Sequence, residues 1–77
     1  MDYEKFYAEV ASWIHSANMM ANKFGMTSNA FWQWVARSSG EMGNRYGNDK
    51  LVVNQMVMLV EWLHEIYNEQ IERQGEA

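Results

Sequence analysis

Two histidines and a set of glutamates are the side chains of this chain that could carry metal or acid–base chemistry. Glu61 and His64 stand three residues apart, a spacing that places two metal ligands on one face of a helix. A two-metal carboxylate site needs that pair twice, with further glutamates pointing inward, and this chain contains it once. His15 and His64 belong to different predicted helices and are both assigned to polar faces. We therefore interpret Glu61 and His64 as a surface pair and expect no bound metal.

No other pattern typical of a catalytic or cofactor-binding site occurs in the chain. It has no cysteine, and none of its serines lies in a nucleophile motif. Gly40, Gly43 and Gly47 follow a predicted helix rather than a strand, whereas a phosphate-binding loop connects a strand to a helix. We expect a protein without enzymatic activity, cofactor or small-molecule substrate.

The first element that positions these side chains is an amphipathic helix. Apolar residues recur at helical spacing from Tyr3 to Phe24 and fall within an arc of roughly 140°. Asp2 is suited to cap the start of this helix, with Glu4 in its first turn. Gly25 is suited to end it, because glycine tolerates the left-handed conformation that follows a helix.

Two further helices follow, with short connections between them. Thr27 or Ser28 can cap the second helix, whose later turns are weakened by serines and glycines between residues 38 and 43. Asn48 or Asp49 can cap the third helix, after a loop that is rich in glycine and asparagine. The fold class is therefore all-α, a compact three-helix bundle in one domain. The predicted helices span about residues 3–24, 28–42 and 49–73, within a single domain of residues 1–77.

Charge is distributed unevenly along the chain, whose formal net charge is −4. The sums are −2 for residues 1–22, +2 for residues 23–50 and −4 for residues 51–77. An acidic protein is a poor general ligand for nucleic acid, because such affinity comes mainly from neutralising phosphates. The longest apolar run, Met56 to Val60, is far shorter than the ~20 residues that cross a bilayer. With no basic, apolar leader at its start, the chain is expected to be cytoplasmic and not to bind a membrane.

The third helix carries more apolar surface than a small domain needs from one helix. Its apolar residues cover over half of the circumference, whereas an ordinary amphipathic helix has a stripe a little over ~100° wide. A helix that touches both other helices of a bundle can use a wide apolar arc. In that alternative the protein is a monomer, and its functional residues are not identified by the sequence. We favour a homodimeric protein-interaction module, a regulator or adaptor that resembles phage and mobile-element accessory proteins in size and composition. The predicted interface residues are Leu51, Met58 and Trp62 on one flank, Val53, Val57 and Ile71 on the other, and Trp32 on the second helix.

A second hypothesis comes from the segment between residues 21 and 37. Ala21 is a small residue where two helices would meet, Gly25 makes a turn, and Met26 plugs it, while Phe31 and Trp34 follow as apolar anchors. In these positions the segment resembles the helix-turn-helix of phage-repressor-type DNA-binding domains. The resemblance implies a DNA-binding transcriptional regulator, and amide and guanidinium side chains are suited to base edges in the major groove. The implied DNA contacts are Thr27, Ser28, Asn29, Gln33 and Arg37, with Lys23 and Arg45 near phosphates.

Overall fold

The computed structural model describes residues 1–75, which form three α-helices and no strand. α1 spans Tyr3–Phe24, α2 spans Asn29–Arg45 and α3 spans Lys50–Gly75. The all-α three-helix bundle predicted from the sequence is confirmed.

The predicted start and end of α1 are confirmed in detail. The Asp2 carboxylate accepts a hydrogen bond from the backbone N–H of Lys5, at 3.1 Å, and so satisfies one of the free donors of the first turn. Gly25 ends the helix with φ at +81°, a backbone conformation that residues other than glycine rarely adopt. Its N–H donates to the carbonyl of Ala21 at 2.8 Å.

One of each pair of capping candidates is used at the starts of α2 and α3. The Ser28 hydroxyl accepts from the N–H of Phe31 at 3.2 Å, so Ser28 rather than Thr27 caps α2. The Asp49 carboxylate accepts from the N–H of Leu51 at 2.9 Å, so α3 begins at Lys50, one residue later than predicted. In both cases the cap precedes the first helical residue, as the geometry of capping requires.

The end predicted for α2 at residue 42 is wrong, because the helix continues to Arg45. Glycine weakens a helix by about 1 kcal/mol relative to alanine, but packing of a buried face outweighs such a cost. Met42 and Gly43 are both buried in the bundle. The carbonyl of Gly43 also accepts from the N–H of Asn48 at 2.8 Å, which satisfies an acceptor at the helix end.

One hydrophobic core joins the three helices, and it contains no buried polar residue among those described. Each helix contributes apolar residues at helical spacing, as predicted from their periodicity. The Trp13 and Trp34 rings stack at a centroid distance of 5.5 Å between α1 and α2, and the Trp13 indole N–H donates to the Ser38 hydroxyl at 2.8 Å. The buried core residues are Phe6, Val10, Trp13, Ala17, Met26, Phe31, Val35, Met42, Val52, Met56, Leu59 and Leu63.

α2 is the helix that lies beside both of the others. Within residues 1–75, Cα atoms approach within 8 Å between α1 and α2 and between α2 and α3, but not between α1 and α3. The bundle is elongated, with extents of 48 × 20 × 18 Å. α3 therefore packs most closely along α2, while buried side chains of α1 and α3 belong to the same core.

A polar clasp holds the start of α1 to the end of α2. The Glu9 carboxylate accepts a hydrogen bond from the Tyr46 hydroxyl and pairs with the Arg45 guanidinium at 3.2 Å. The hydrogen bond from Tyr46, assisted by the charge of Arg45, lowers the pKa of Glu9. The same hydrogen bond to a carboxylate raises the pKa of Tyr46, because it favours the neutral phenol.

We expect this clasp to make stability depend on pH at both ends of the range. Because the pKa of Glu9 is lowered by folding, its contribution is complete above the usual glutamate range and is lost as pH falls through the lowered value. Because the pKa of Tyr46 is raised, its contribution is complete below about 10 and is lost as pH rises through the raised value. Urea unfolding across pH measures both effects. Tyr46→Phe should flatten both limbs, and an unchanged profile in that variant would contradict the coupling.

Candidate interaction surface

Five of the seven residues predicted to form an interface are exposed, and two are not. Leu51 and Trp32 are only partly exposed and pack against the core. The exposed residues, with their exposed fractions, are Val53 at 38%, Val57 at 50%, Met58 at 54%, Trp62 at 37% and Ile71 at 43%.

These exposed residues form two separate flanks of α3. At about 100° per residue, Val53, Val57 and Ile71 lie on one side of the buried stripe. Met58 and Trp62 lie on the opposite side. The two flanks cannot face one flat partner surface together, because the core-facing stripe separates them on one side and a polar strip on the other. The polar strip consists of Asn54, Glu61, Glu65, Asn68 and Glu72. A binding surface must therefore use one flank or the other.

The first flank borders an apolar groove of about 540 Å³ between α2 and α3. We name Val53, Val57 and Val60 the valine row, because they follow one another at intervals of four and three residues and line the α3 wall of the groove. The α2 wall consists mainly of small residues, whose short side chains leave a depression along the helix backbone. These residues are Ala36, Ser39, Gly40 and Gly43. The arrangement provides an apolar ridge immediately beside an apolar depression.

Trp32 is held by α3 rather than presented to solvent. Its ring stacks on His64 at a centroid distance of 4.3 Å and meets Tyr67 edge-on at 5.7 Å. Its indole N–H donates to the carbonyl of Met26 at 2.7 Å, which satisfies the polar atom. His64 is exposed, as predicted for a surface side chain, but its ring also takes part in the contact between α2 and α3. The sequence contained a sign of this contact, because His64 follows Val60 by four residues and so lies on the same side of α3 as the valine row.

Most of the side chains implied as DNA contacts are exposed, but two are already engaged. The Ser28 hydroxyl accepts from a backbone N–H as the α2 cap and donates to the carbonyl of Gly25 at 2.9 Å. Arg45 is paired with Glu9. The exposed candidates are Lys23, Thr27, Asn29, Gln33 and Arg37.

The course of α1 and α2 differs from that of a helix-turn-helix. In that motif the two helices cross at about 90–120°. Here they run antiparallel, because contacts continue to their far ends, where Phe6 meets Tyr46 at 5.3 Å and Glu9 meets Arg45. This geometry gives no support to the DNA-binding hypothesis.

No group of three or more His, Asp or Glu side chains within the described chain is arranged to hold a metal ion. Among the same residues, no helix has the length and apolar character needed to span a bilayer. Comparisons of the chain with protein-family models, curated proteins and solved structures found no match.

Proposed function

We propose that this protein is a non-enzymatic interaction module that works as a homodimer. In this role it would be a small helical regulator or adaptor, of the kind found among phage and mobile-element accessory proteins. The observation that supports the proposal best is the valine row, in which Val53 and Val57 are exposed, beside the apolar groove between α2 and α3. Contiguous apolar surface on a small domain usually marks a contact site.

The energy available from this surface sets the expected strength of association. Burying an aliphatic side chain completely is worth about 1.5–3 kcal/mol, so a half-exposed one contributes roughly 1 kcal/mol. Val53, Val57 and Ile71 of two copies would then contribute about 6 kcal/mol. Association costs about 4–15 kcal/mol, so the groove must contribute as well. A Kd in the micromolar range corresponds to about 8 kcal/mol, so the groove must contribute at least about 6 kcal/mol beyond these side chains.

Light scattering as a function of concentration tests the proposal directly. The mass is expected to rise from the 9.1 kDa of one chain to twice that value as concentration passes through the micromolar range. A mass that stays at 9.1 kDa up to high micromolar concentration would contradict the homodimer.

The same sample tests the DNA-binding alternative with a random duplex at low salt. Binding that weakens steeply with added salt, and further with Arg37→Ala, would favour that alternative.

A further inference from the structure

α3 carries two neighbouring rows of apolar residues, each with the spacing of a helix-packing seam. The first row, Val52, Met56, Leu59 and Leu63, is at most 5% exposed and faces the core. The valine row repeats the same spacing one residue later along the chain. Intervals of three and four residues are those at which one helix packs along another. The second row therefore has the pattern of a helix contact, but α2 covers it only in part.

The wall of the groove on α2 has the complementary shape. Ala36, Gly40 and Gly43 also follow one another at intervals of four and three residues, so small residues form a depression along the helix. A Cβ atom added at Gly40 would meet no other atom within 4 Å, which shows that the depression is open there. Small residues in such a row allow another helix to approach closely.

We infer that the occupant of this groove is the valine row of a second copy of the chain. The inference rests on the proposed homodimer and specifies its geometry. Ridge and depression lie side by side on one face, so a two-fold axis brings the ridge of each copy over the depression of the other. α2 and α3 of both copies then form a four-helix arrangement, in which each valine row lies against α2 of the other copy.

Charges at the edges of the groove match this arrangement. Glu61 lines the α3 edge, and Arg37 lies on the outer side of α2, three residues before Gly40. Both side chains are exposed. Among the described residues the ion pair is that of Glu9 and Arg45, so neither Arg37 nor Glu61 is paired within the chain. With α2 of one copy over α3 of the other, Arg37 meets Glu61 of the second copy, and the contact occurs twice.

The contact in such a dimer must be larger than the groove alone. α3 has 26 residues. At 1.5 Å per residue it is about 39 Å long. The bundle is 20 Å wide. The groove covers α3 only from Val53 to Glu61, so an interface of standard size, about 800 Å² on each partner, must use most of this face.

Filling the depression on α2 is the first test. Gly40→Leu should weaken dimerisation by at least about tenfold, because the leucine occupies the space of the incoming ridge. Gly40→Ala is the matched control, since it gives the same kind of gain in helix propensity with a much smaller side chain. Urea unfolding of both variants at monomeric concentration should show unchanged or increased stability, so that loss of the dimer is not loss of the fold.

Reversing the edge charges is the second test. Arg37→Glu and Glu61→Arg should each weaken the dimer by about threefold to tenfold, and the double variant should recover most of the affinity. A wild-type monomer would overturn the homodimer itself. A wild-type dimer whose affinity is unchanged by Gly40→Leu and by both charge reversals would overturn only this geometry, and would place the interface on the flank of Met58 and Trp62.

Discussion

Replacing Val57 with glutamate is expected to leave the protein monomeric, with association weakened by at least about 100-fold. Val57 is 50% exposed in the single chain, so the fold should tolerate a charged side chain there. In the proposed dimer the same position lies at the centre of the interface, where an unpaired carboxylate would lose its water without gaining a partner. Sedimentation or light scattering across concentration measures the change.

Two neighbouring substitutions make this result specific to one surface. Asn54→Glu adds the same charge to the exposed polar strip of α3 and should leave the dimer intact. Met58→Glu places it on the opposite flank, at a residue that is 54% exposed, and should also have little effect. If Met58→Glu abolishes the dimer and Val57→Glu does not, the valine row is not the interface.

Replacing Phe31 with alanine is expected to lower the free energy of unfolding by about 3–5 kcal/mol. Phe31 is fully buried at the start of α2, and its ring lies 5.1 Å from that of Trp32 and 6.4 Å from that of Trp34. A domain of 77 residues has a total stability of only about 4–12 kcal/mol at the usual value per residue. The midpoint of thermal unfolding should therefore fall by at least about 12 °C.

Urea unfolding followed by tryptophan fluorescence measures this loss, with Phe24→Ala as the control. Phe24 is the same residue type in the last turn of α1 but is 41% exposed, so its removal leaves no large cavity. Its cost should be below about 1 kcal/mol. Equal losses in the two variants would mean that the core is not centred on Phe31.

The local features of the three helices were predictable from the sequence. The apolar spacing between Tyr3 and Phe24 and the roles of Asp2 and Gly25 depend on residues within a few positions of each other. Such short-range rules also limited each cap to two neighbouring candidates, of which Ser28 and Asp49 are used. The end of α2 was missed because glycine and serine propensities favour an earlier stop, whereas burial of the last turn depends on a helix distant in sequence.

The candidate surface was predictable only in part. The sequence indicated that the flanks of α3 exceed an ordinary apolar stripe, and the residues at their outer edges are indeed exposed. It did not indicate that Trp32 stacks on His64, because that contact joins residues 32 positions apart along the chain. It also did not separate the two flanks, since helical spacing treats the two sides of a stripe alike.

Amino-acid order alone thus determines where the helices form and how wide the apolar arc of α3 is. The tertiary structure decides which flank of α3 borders the groove, because the rotation of α3 about its axis is set when the apolar faces of all three helices pack together. That packing places the valine row, and not Met58 and Trp62, beside the small residues of α2. The same exposed apolar residues therefore acquire different roles according to the neighbouring helix beside which they lie.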